Sequence, residues 1–164
     1  MLIYPYMVYA FIDAQNLYLG IKSQGWKLDY KKFYVYLKEK YKADEVFMYI
    51  GYIKGNEILY RRLRGFGYQL VFRQTRKYSF GNNKIKGNVD VSLTVDAIRK
   101  SEKYKRAIFV SADGDFCPLY DYLIDEKKKE ILIMVPNSYS YSRFLLKYHN
   151  RLRYMNNLKE KLSV

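Results

Sequence analysis

A three-layer αβα fold, built on a five-stranded parallel β-sheet, is what the sequence predicts for this chain of 164 residues. Five short apolar segments have the aromatic and β-branched composition of buried strands. Segments with apolar residues at helical spacing separate them, and such alternation is typical of parallel sheets with helices on both faces. We expect one domain over residues 1–150 and a helical tail over residues 151–164.

The predicted strands are short and end at polar or turn-forming residues. They span residues 8–12, 45–53, 68–72, 107–111 and 131–135. The first strand ends before Asp13, the fourth runs into Ala112 and Asp113, and the fifth is ended by Pro136. We assume the strand order 3-2-1-4-5, which makes strands one and four neighbours and places the reversal of strand order between them.

The helices follow from apolar periodicity and from capping residues. A first helix begins at Asn16 and breaks near Gly25, and the others span 30–41, 56–64, 89–101, 115–127 and 138–149. Asp29 is a predicted N-cap, and Gly65 and Gly67 stop the third helix. The helix over 89–101 has few polar positions, so we expect it to be largely buried.

The tail contains a narrow apolar stripe formed by Leu152, Met155, Leu158 and Leu162, which predicts a short helix. This helix either folds back on the domain, which is the interpretation we favour, or meets a partner.

The composition of the chain narrows the set of possible functions. The net charge of +14 predicts a polyanionic partner, although solvated faces of a generally lysine-rich protein are the alternative. One cysteine and one histidine exclude an internal disulfide and a thiolate–imidazole zinc site. No apolar run is long enough to span a membrane, and the N-terminus lacks the pattern of a secretory signal. We therefore expect a cytoplasmic protein with no membrane partner.

Acidic residues follow both central strands. Asp13 ends the first strand, and Asp113 and Asp115 follow the fourth, separated by Gly114. Ligands of open parallel sheets bind at the carboxyl ends of the strands, where the strand order reverses. With the assumed order, Asp13 and Asp113 face one crevice from neighbouring strands.

Two further acids are open to two interpretations each. Asp90 begins a helix directly after a basic loop, where it either caps the helix or joins the acidic site. Asp96 lies between Val95 and Ala97, and a carboxylate in such surroundings needs either a neighbouring Lys or Arg or a metal shell.

Several carboxylates in one crevice repel one another unless cations are bound or the pKa values rise. Oxygen ligands without His or Cys point to Mg²⁺ or Mn²⁺, which can polarise a phosphodiester and activate water. The basic loop, residues 73–88, contains cations and no acid. Its predicted RNA-binding residues are Arg73, Arg76, Lys77, Lys84 and Lys86.

Three segments together resemble the NYN domains, in the LabA-like branch of the PIN-like nuclease superfamily. The segments are Phe11-Ile12-Asp13-Ala14-Gln15-Asn16, Lys86-Gly87-Asn88-Val89-Asp90-Val91 with Asp96, and Ser111-Ala112-Asp113-Gly114-Asp115-Phe116. The resemblance runs from about Val8 to Val135. It departs from the family at Ala112, which replaces a usual glycine, and after Pro136, where the familiar acidic pattern is missing.

The resemblance implies a five-stranded parallel sheet and metal-dependent ribonuclease activity. It implies an acidic cluster formed by Asp13, Asp90, Asp113 and Asp115, with Asp96 as a recurrent second acid of the same helix. It also implies that Asn16 orients the first acid or a metal-bound water. Ser111 matches a serine that contacts a phosphate or a carboxylate.

Three functions remain open from the sequence. The first is a Mg²⁺- or Mn²⁺-dependent endonuclease for single-stranded RNA, in which the five aspartates and Asn16 form the site. The second is a non-catalytic RNA-binding regulatory module with a vestigial site. The third is a Mg²⁺ enzyme for a phosphate monoester or nucleotide, which the wide basic loop disfavours. The sequence leaves homodimerisation open.

Overall fold

The central sheet brings the carboxyl ends of parallel strands to one edge. The computed structural model describes residues 6–74 and 89–164. Within these ranges, six strands pair in parallel in the order β3-β2-β1-β4-β5-β6. The strands are β1 (Val8–Asp13), β2 (Glu45–Tyr52), β3 (Gln69–Gln74), β4 (Arg106–Val110), β5 (Glu130–Val135) and β6 (Leu152–Tyr154). The predicted fold class and the assumed order are confirmed, and β6 extends the sheet by one edge strand.

Helices connect the strands. They are α1 (Ala14–Lys22), α2 (Tyr30–Tyr41), α3 (Glu57–Phe66), α4 (Val89–Arg99), α5 (Cys117–Asp121) and α6 (Lys159–Leu162). A π-helical turn, Tyr122–Glu126, continues α5, and 3₁₀ helices span Ser101–Lys103, Gly114–Phe116, Arg143–Arg151 and Asn156–Leu158. Asp29 caps α2 as predicted, since its side chain accepts hydrogen bonds from the amides of Lys31 and Lys32.

The strand β1 lies at the centre of the molecule and is buried along its whole length. On one face, Ala10 and Ile12 belong to a core with Leu17 of α1 and Phe33 of α2. On the other face, the Phe11 ring stacks on neighbouring strands, with centroids 5.6 Å from Phe47 and 5.3 Å from Phe109. Because both faces are packed, the residue that ends this strand has a fixed position.

The helix α4 is less buried than its composition predicts. Val89, Leu93 and Ala97 face the sheet, whereas Val91, Val95 and Ile98 are 51%, 40% and 37% exposed. The two sets lie on opposite sides of a helix with 3.6 residues per turn, so one face of this apolar helix points to solvent. The expectation of a largely buried helix is wrong.

The segment after β5 contains shorter elements than predicted. In place of a helix over residues 138–149, a turn leads into the 3₁₀ helix Arg143–Arg151. Side chains compete with helical hydrogen bonding here, because Asn137 accepts a hydrogen bond from the Tyr139 amide and Ser142 caps the 3₁₀ helix.

The C-terminal stripe folds back on the domain, as we expected, but it is not one helix. Leu152 begins β6 beside β5, Met155 is fully buried, and Leu162 of α6 is 1% exposed in the core with α2. The amide of Asp29 donates to the Leu162 carbonyl at 2.8 Å, which ties the tail to the start of α2. Among the described residues, no helix has the length and apolar content needed to cross a bilayer.

Candidate metal centre

The candidate site lies at the carboxyl edge of the sheet, between the adjacent strands β1 and β4. Asp13 is the last residue of β1 and the N-cap of α1. Residues 111–116, here called the acid loop, follow β4 directly. Parallel pairing of Ile12 with Val110 brings these two chain segments out of the sheet side by side. The ends of β1 and β4 therefore lie side by side, as the assumed strand order predicts.

Three carboxylates meet at this edge. Asp90, Asp113 and Asp115 each offer an oxygen atom, and these atoms lie within 4.8 Å of one another. Asp113 caps the 3₁₀ helix Gly114–Phe116 by accepting a hydrogen bond from the Asp115 amide at 2.8 Å. Asp90 reaches the same place from the first turn of α4. The cluster thus combines a local turn with a residue distant in the chain.

Asp13 is the buried member of this acidic site, with a relative exposure of 5%. The pKa of the Asp13 carboxyl is raised from 3.8 to about 6, mainly by burial and in smaller part by the charges of Asp90 and Asp113. Hydrogen bonds from the Asn16 amide, at 3.2 Å, and from the Ser111 hydroxyl oppose this shift. Burial also raises the pKa of Asp90, as do the charges of Asp113 and Asp115.

Asn16 and Ser111 hold the acid loop against β1. The Asn16 side-chain carbonyl accepts a hydrogen bond from the Ala112 amide at 2.8 Å. Ser111 is buried, and its hydroxyl oxygen accepts from the Asp113 amide at 3.1 Å. Both side chains therefore fix the position of the acids. A contact of Asn16 with a metal-bound water, and of Ser111 with a phosphate, stay predictions.

The geometry agrees with comparisons to known proteins. The NYN domain family matches residues 7–152, which include the strands β1 to β5, Asp13 and the three clustered aspartates. The chain belongs to the NYN domain family. This family is part of the PIN-like nuclease superfamily. No curated protein matches this chain.

A solved structure supports the same fold for this NYN domain. A protein of unknown function from Vibrio parahaemolyticus superimposes with a TM-score of 0.81 at 19% sequence identity. The alignment covers 100% of this chain and 99% of the Vibrio chain. At this identity the likeness concerns the fold, and it extends through the C-terminal segment beyond the family match.

The acids of the NYN domain fit a divalent cation. An ion with oxygen ligands at roughly 2.0–2.6 Å keeps those ligands within about 5 Å of one another, and the three carboxylate oxygens lie within 4.8 Å. The donor set contains oxygen alone, which suits Mg²⁺ or Mn²⁺. The raised pKa values of Asp13 and Asp90 show the electrostatic cost of this arrangement, and a bound cation would offset that cost.

Asp96 has local partners on the neighbouring elements. Its carboxylate accepts a hydrogen bond from the Tyr49 hydroxyl at 2.9 Å and lies 3.6 Å from the ammonium of Lys100, the residue that follows α4. Of the two interpretations of the sequence, the pair with a neighbouring lysine is the one that the structure contains. Asp96 is not part of the group formed by Asp90, Asp113 and Asp115.

The predicted RNA-binding residues fall mostly outside the described part of the chain. Arg73, in β3, donates a hydrogen bond to the Ser92 hydroxyl at 3.3 Å and is half-buried beside α4. Arg76, Lys77, Lys84 and Lys86 lie outside the described residues. Arg73 therefore places a cation beside α4, where its partner Ser92 lies two residues after Asp90.

Two features of the site were not visible in the sequence. The segment from Ser142 to Phe144 packs on the acid loop, although it follows a different strand, and the Ser142 amide donates to the Ala112 carbonyl at 3.0 Å. The Tyr120 hydroxyl is buried and has no hydrogen-bond partner among the described residues. Burial raises the pKa of Tyr120, as do Cys117, Asp113 and Asp13. For the contact with the acid loop, the available signal in the sequence was Ser142, which stands ahead of an apolar periodic run.

Proposed function

We propose that this NYN domain is a Mg²⁺- or Mn²⁺-dependent endoribonuclease that cleaves single-stranded RNA. The observation that carries the proposal is the group formed by Asp90, Asp113 and Asp115, whose oxygen atoms lie within 4.8 Å of one another beside the buried Asp13. A non-catalytic module that only binds RNA would gain no affinity for a polyanion from carboxylates that repel one another and the RNA.

The chain's own residues have separate roles in this proposal. Asp13, Asp90 and Asp113 hold the cation, and the exposed Asp115 accepts a hydrogen bond from the attacking water or faces a second ion. Asn16 and Ser111 keep the acid loop in register with Asp13. When bound, the cation would supply a Lewis acid that polarises the scissile phosphodiester and lowers the pKa of water.

The charge of the protein supports RNA as the substrate. The net charge is +14, although the acidic site concentrates negative charge at the sheet edge. Arg73, which donates a hydrogen bond to Ser92 of α4, would bind a backbone phosphate. The motifs around Asp13 and Asp113 support the LabA-like branch of the family, and the single cysteine supports a cytoplasmic setting.

The test compares Asp113→Asn with Asp125→Asn, which removes an exposed carboxylate from the π-helical turn after α5. End-labelled single-stranded RNA is incubated with each purified protein in Mg²⁺, Mn²⁺ or EDTA, and products are resolved on denaturing gels. We expect metal-dependent cleavage by the parent and by Asp125→Asn, and a loss of at least 100-fold (about 3 kcal/mol) for Asp113→Asn. Cleavage by Asp113→Asn at the parent rate would contradict the proposal.

Asp96→Asn separates the two interpretations of that residue. Since Asp96 accepts from Tyr49 and pairs with Lys100, we expect this variant to cleave RNA within a few-fold of the parent rate. A loss as large as that of Asp113→Asn, with the melting temperature unchanged, would make Asp96 a ligand after all.

Salt-dependent RNA binding without metal-stimulated cleavage in the parent would support the regulatory module instead.

A further inference from the structure

We infer that Phe144 is a base-stacking residue of the candidate site and that its ring packs on an RNA base held beside the acid loop. The inference rests on the proposed function and extends it, because it assigns a substrate contact to a segment outside the family's acidic motifs. It also predicts how the site distinguishes single-stranded RNA, whose bases are free to stack, from a duplex.

The position of Phe144 is set by close packing against the acid loop. A Cβ atom on Gly114 would lie 2.3 Å from the Ser142 hydroxyl oxygen and 3.1 Å from Cδ2 of Phe144. Gly114 separates Asp113 from Asp115, two members of the carboxylate group. The Phe144 ring therefore lies within a few ångströms of the backbone that carries the acids.

The backbone of Phe144 is anchored by its neighbours, whereas its ring is exposed to solvent. It is 77% exposed, whereas the next residue, Leu145, is fully buried and anchors the 3₁₀ helix to the core. Ser142 caps this helix and accepts a hydrogen bond from the Phe144 amide at 3.4 Å. Leaving a phenyl ring in water forfeits the free energy of its burial. A ligand that covers the ring at this position would recover that free energy.

The chemistry around the ring favours a nucleobase as that ligand. Other exposed aromatic side chains lie near the carboxyl ends of β5 and β6: Tyr139 follows β5 and is 92% exposed, and Tyr154 ends β6 and is 40% exposed. Arg73 lies on the opposite side of the acids, at the end of β3. A strand of RNA crossing the edge would thus meet a cation for its phosphates, then the acids, then aromatic rings for its bases.

The experiment couples removal of the ring to removal of a base. Single abasic positions are introduced one at a time along a short single-stranded RNA, and affinity is measured with Asp13→Asn protein, which should bind without cutting. We expect Phe144→Ala to weaken binding of the intact RNA by about 5- to 100-fold, and Phe144→Trp to restore it. At one abasic position, Phe144→Ala should cause no further loss, because the stacked base is already missing.

The matched control is Leu146→Ala, which removes a 51% exposed apolar side chain from the same 3₁₀ helix. It should leave the affinity for both intact and abasic RNA unchanged. A 2-aminopurine base at the sensitive position should lose fluorescence on binding to Asp13→Asn protein and keep it when Phe144→Ala is added. This optical signature reports stacking, which a merely structural role of Phe144 would not produce.

The outcomes separate this inference from the proposed function. If the parent cleaves RNA and Phe144→Ala binds every RNA as tightly as the parent, the stacking inference is overturned and the nuclease stands. If the coupling is found but the parent shows no metal-dependent cleavage, the nuclease is overturned and the stacking contact stands. Equal losses at all abasic positions would also overturn the inference, because they would indicate a general apolar surface, such as a protein-binding one.

Discussion

Asp13 is buried at the carboxyl end of β1, and its side chain is ionisable. Burial disfavours the charged form of that side chain. It is 5% exposed, and its pKa rises to about 6 because the charged form is desolvated and lies near Asp90 and Asp113. The ionised carboxylate that a metal requires is therefore the form that the fold alone disfavours. Such a conflict between stability and local chemistry is typical of functional sites.

We expect Asp13→Asn to raise the stability of the metal-free protein at neutral pH. The folded-state pKa lies above the unfolded value of 3.8, so the folded parent binds an extra proton between about pH 4 and 6 and loses stability as the pH rises through that window. Asn carries no charge and keeps an acceptor for the Asn16 amide. A shift of about two units corresponds to at most about 3 kcal/mol.

The measurement is urea unfolding in EDTA at pH 7.5 and pH 4. The gain of Asp13→Asn over the parent should be present at pH 7.5 and mostly lost at pH 4, where Asp13 of the folded parent is protonated. Asp125→Asn, at an exposed site, is the control and should show no such pH dependence. A loss of stability at pH 7.5 would mean that the carboxylate of Asp13 makes a favourable contact stronger than its desolvation cost.

At the scale of elements, the acid loop depends on a close approach between two chain segments. Gly114 makes room for Ser142 and Phe144, and its backbone φ is not in the left-handed region. The requirement is one of space: a methyl group would collide with the Ser142 side chain and push the 3₁₀ helix away from the acids. The same packing that presents Phe144 thus also limits what residue 114 can be.

We expect Gly114→Ala to reduce cleavage by at least 10-fold and to lower the melting temperature, because the carboxylates of Asp113 and Asp115 would move with the loop. The matched variant is Gly65→Ala in α3, where a Cβ meets no described atom within 4 Å. There alanine favours the helix, so stability should rise by about 0.5–1 kcal/mol with activity unchanged. Parent-like cleavage by Gly114→Ala would show that the loop tolerates the displacement.

The elements themselves were largely predictable. Five strands follow from short apolar runs separated by helical segments, and the structure confirms the order that we assumed for them. The sixth strand has three residues and lies inside a stripe with helical spacing, so its edge pairing with β5 overrides the local pattern. The sequence did not predict the exposed face of α4 for a different reason: Val91 and Val95 are apolar and yet point away from the sheet.

The candidate site was predictable where topology determines it. Asp13 and Asp113 end neighbouring strands, so their convergence follows from strand order. The Tyr49 hydroxyl reaches Asp96 because α4 packs on β2, which no rule of residue spacing predicts. Phe144 reaches the acid loop from a segment about 30 residues away, through a contact that depends on the exact fit of Gly114. Long-range packing of this kind appears only in three dimensions.

For the whole molecule, the main electrostatic feature is a net charge of +14 in a chain that concentrates acids at one edge of its sheet. The excess of cations creates a field that attracts polyanions from any direction, and the carboxylates of the site oppose that field locally. A bound divalent cation would reverse this local repulsion. RNA affinity should therefore have a salt-dependent part from the phosphates and a salt-independent part from stacking.

These two parts can be separated by a salt titration with single-stranded RNA and Asp13→Asn protein. The logarithm of the association constant should fall linearly with the logarithm of the salt concentration, by about 0.7 for each phosphate contacted. Arg73→Ala should lower the slope by about 0.7, because it removes one cation beside α4. Phe144→Ala should weaken binding at every salt concentration and leave the slope unchanged, because a phenyl ring displaces no counterions.

The control for this titration is Lys161→Ala, which removes a cation from α6, where the ammonium lies 5.0 Å from the Tyr36 ring centre in α2. This pair lies on helices packed against the sheet and away from the acid loop, so neither slope nor affinity should change. A slope reduced equally by Arg73→Ala and Lys161→Ala would mean that RNA binds through the diffuse charge of the whole surface. The acids and Phe144 would then lie at an edge that RNA visits without a defined path, and the order of contacts across the sheet would have no functional meaning.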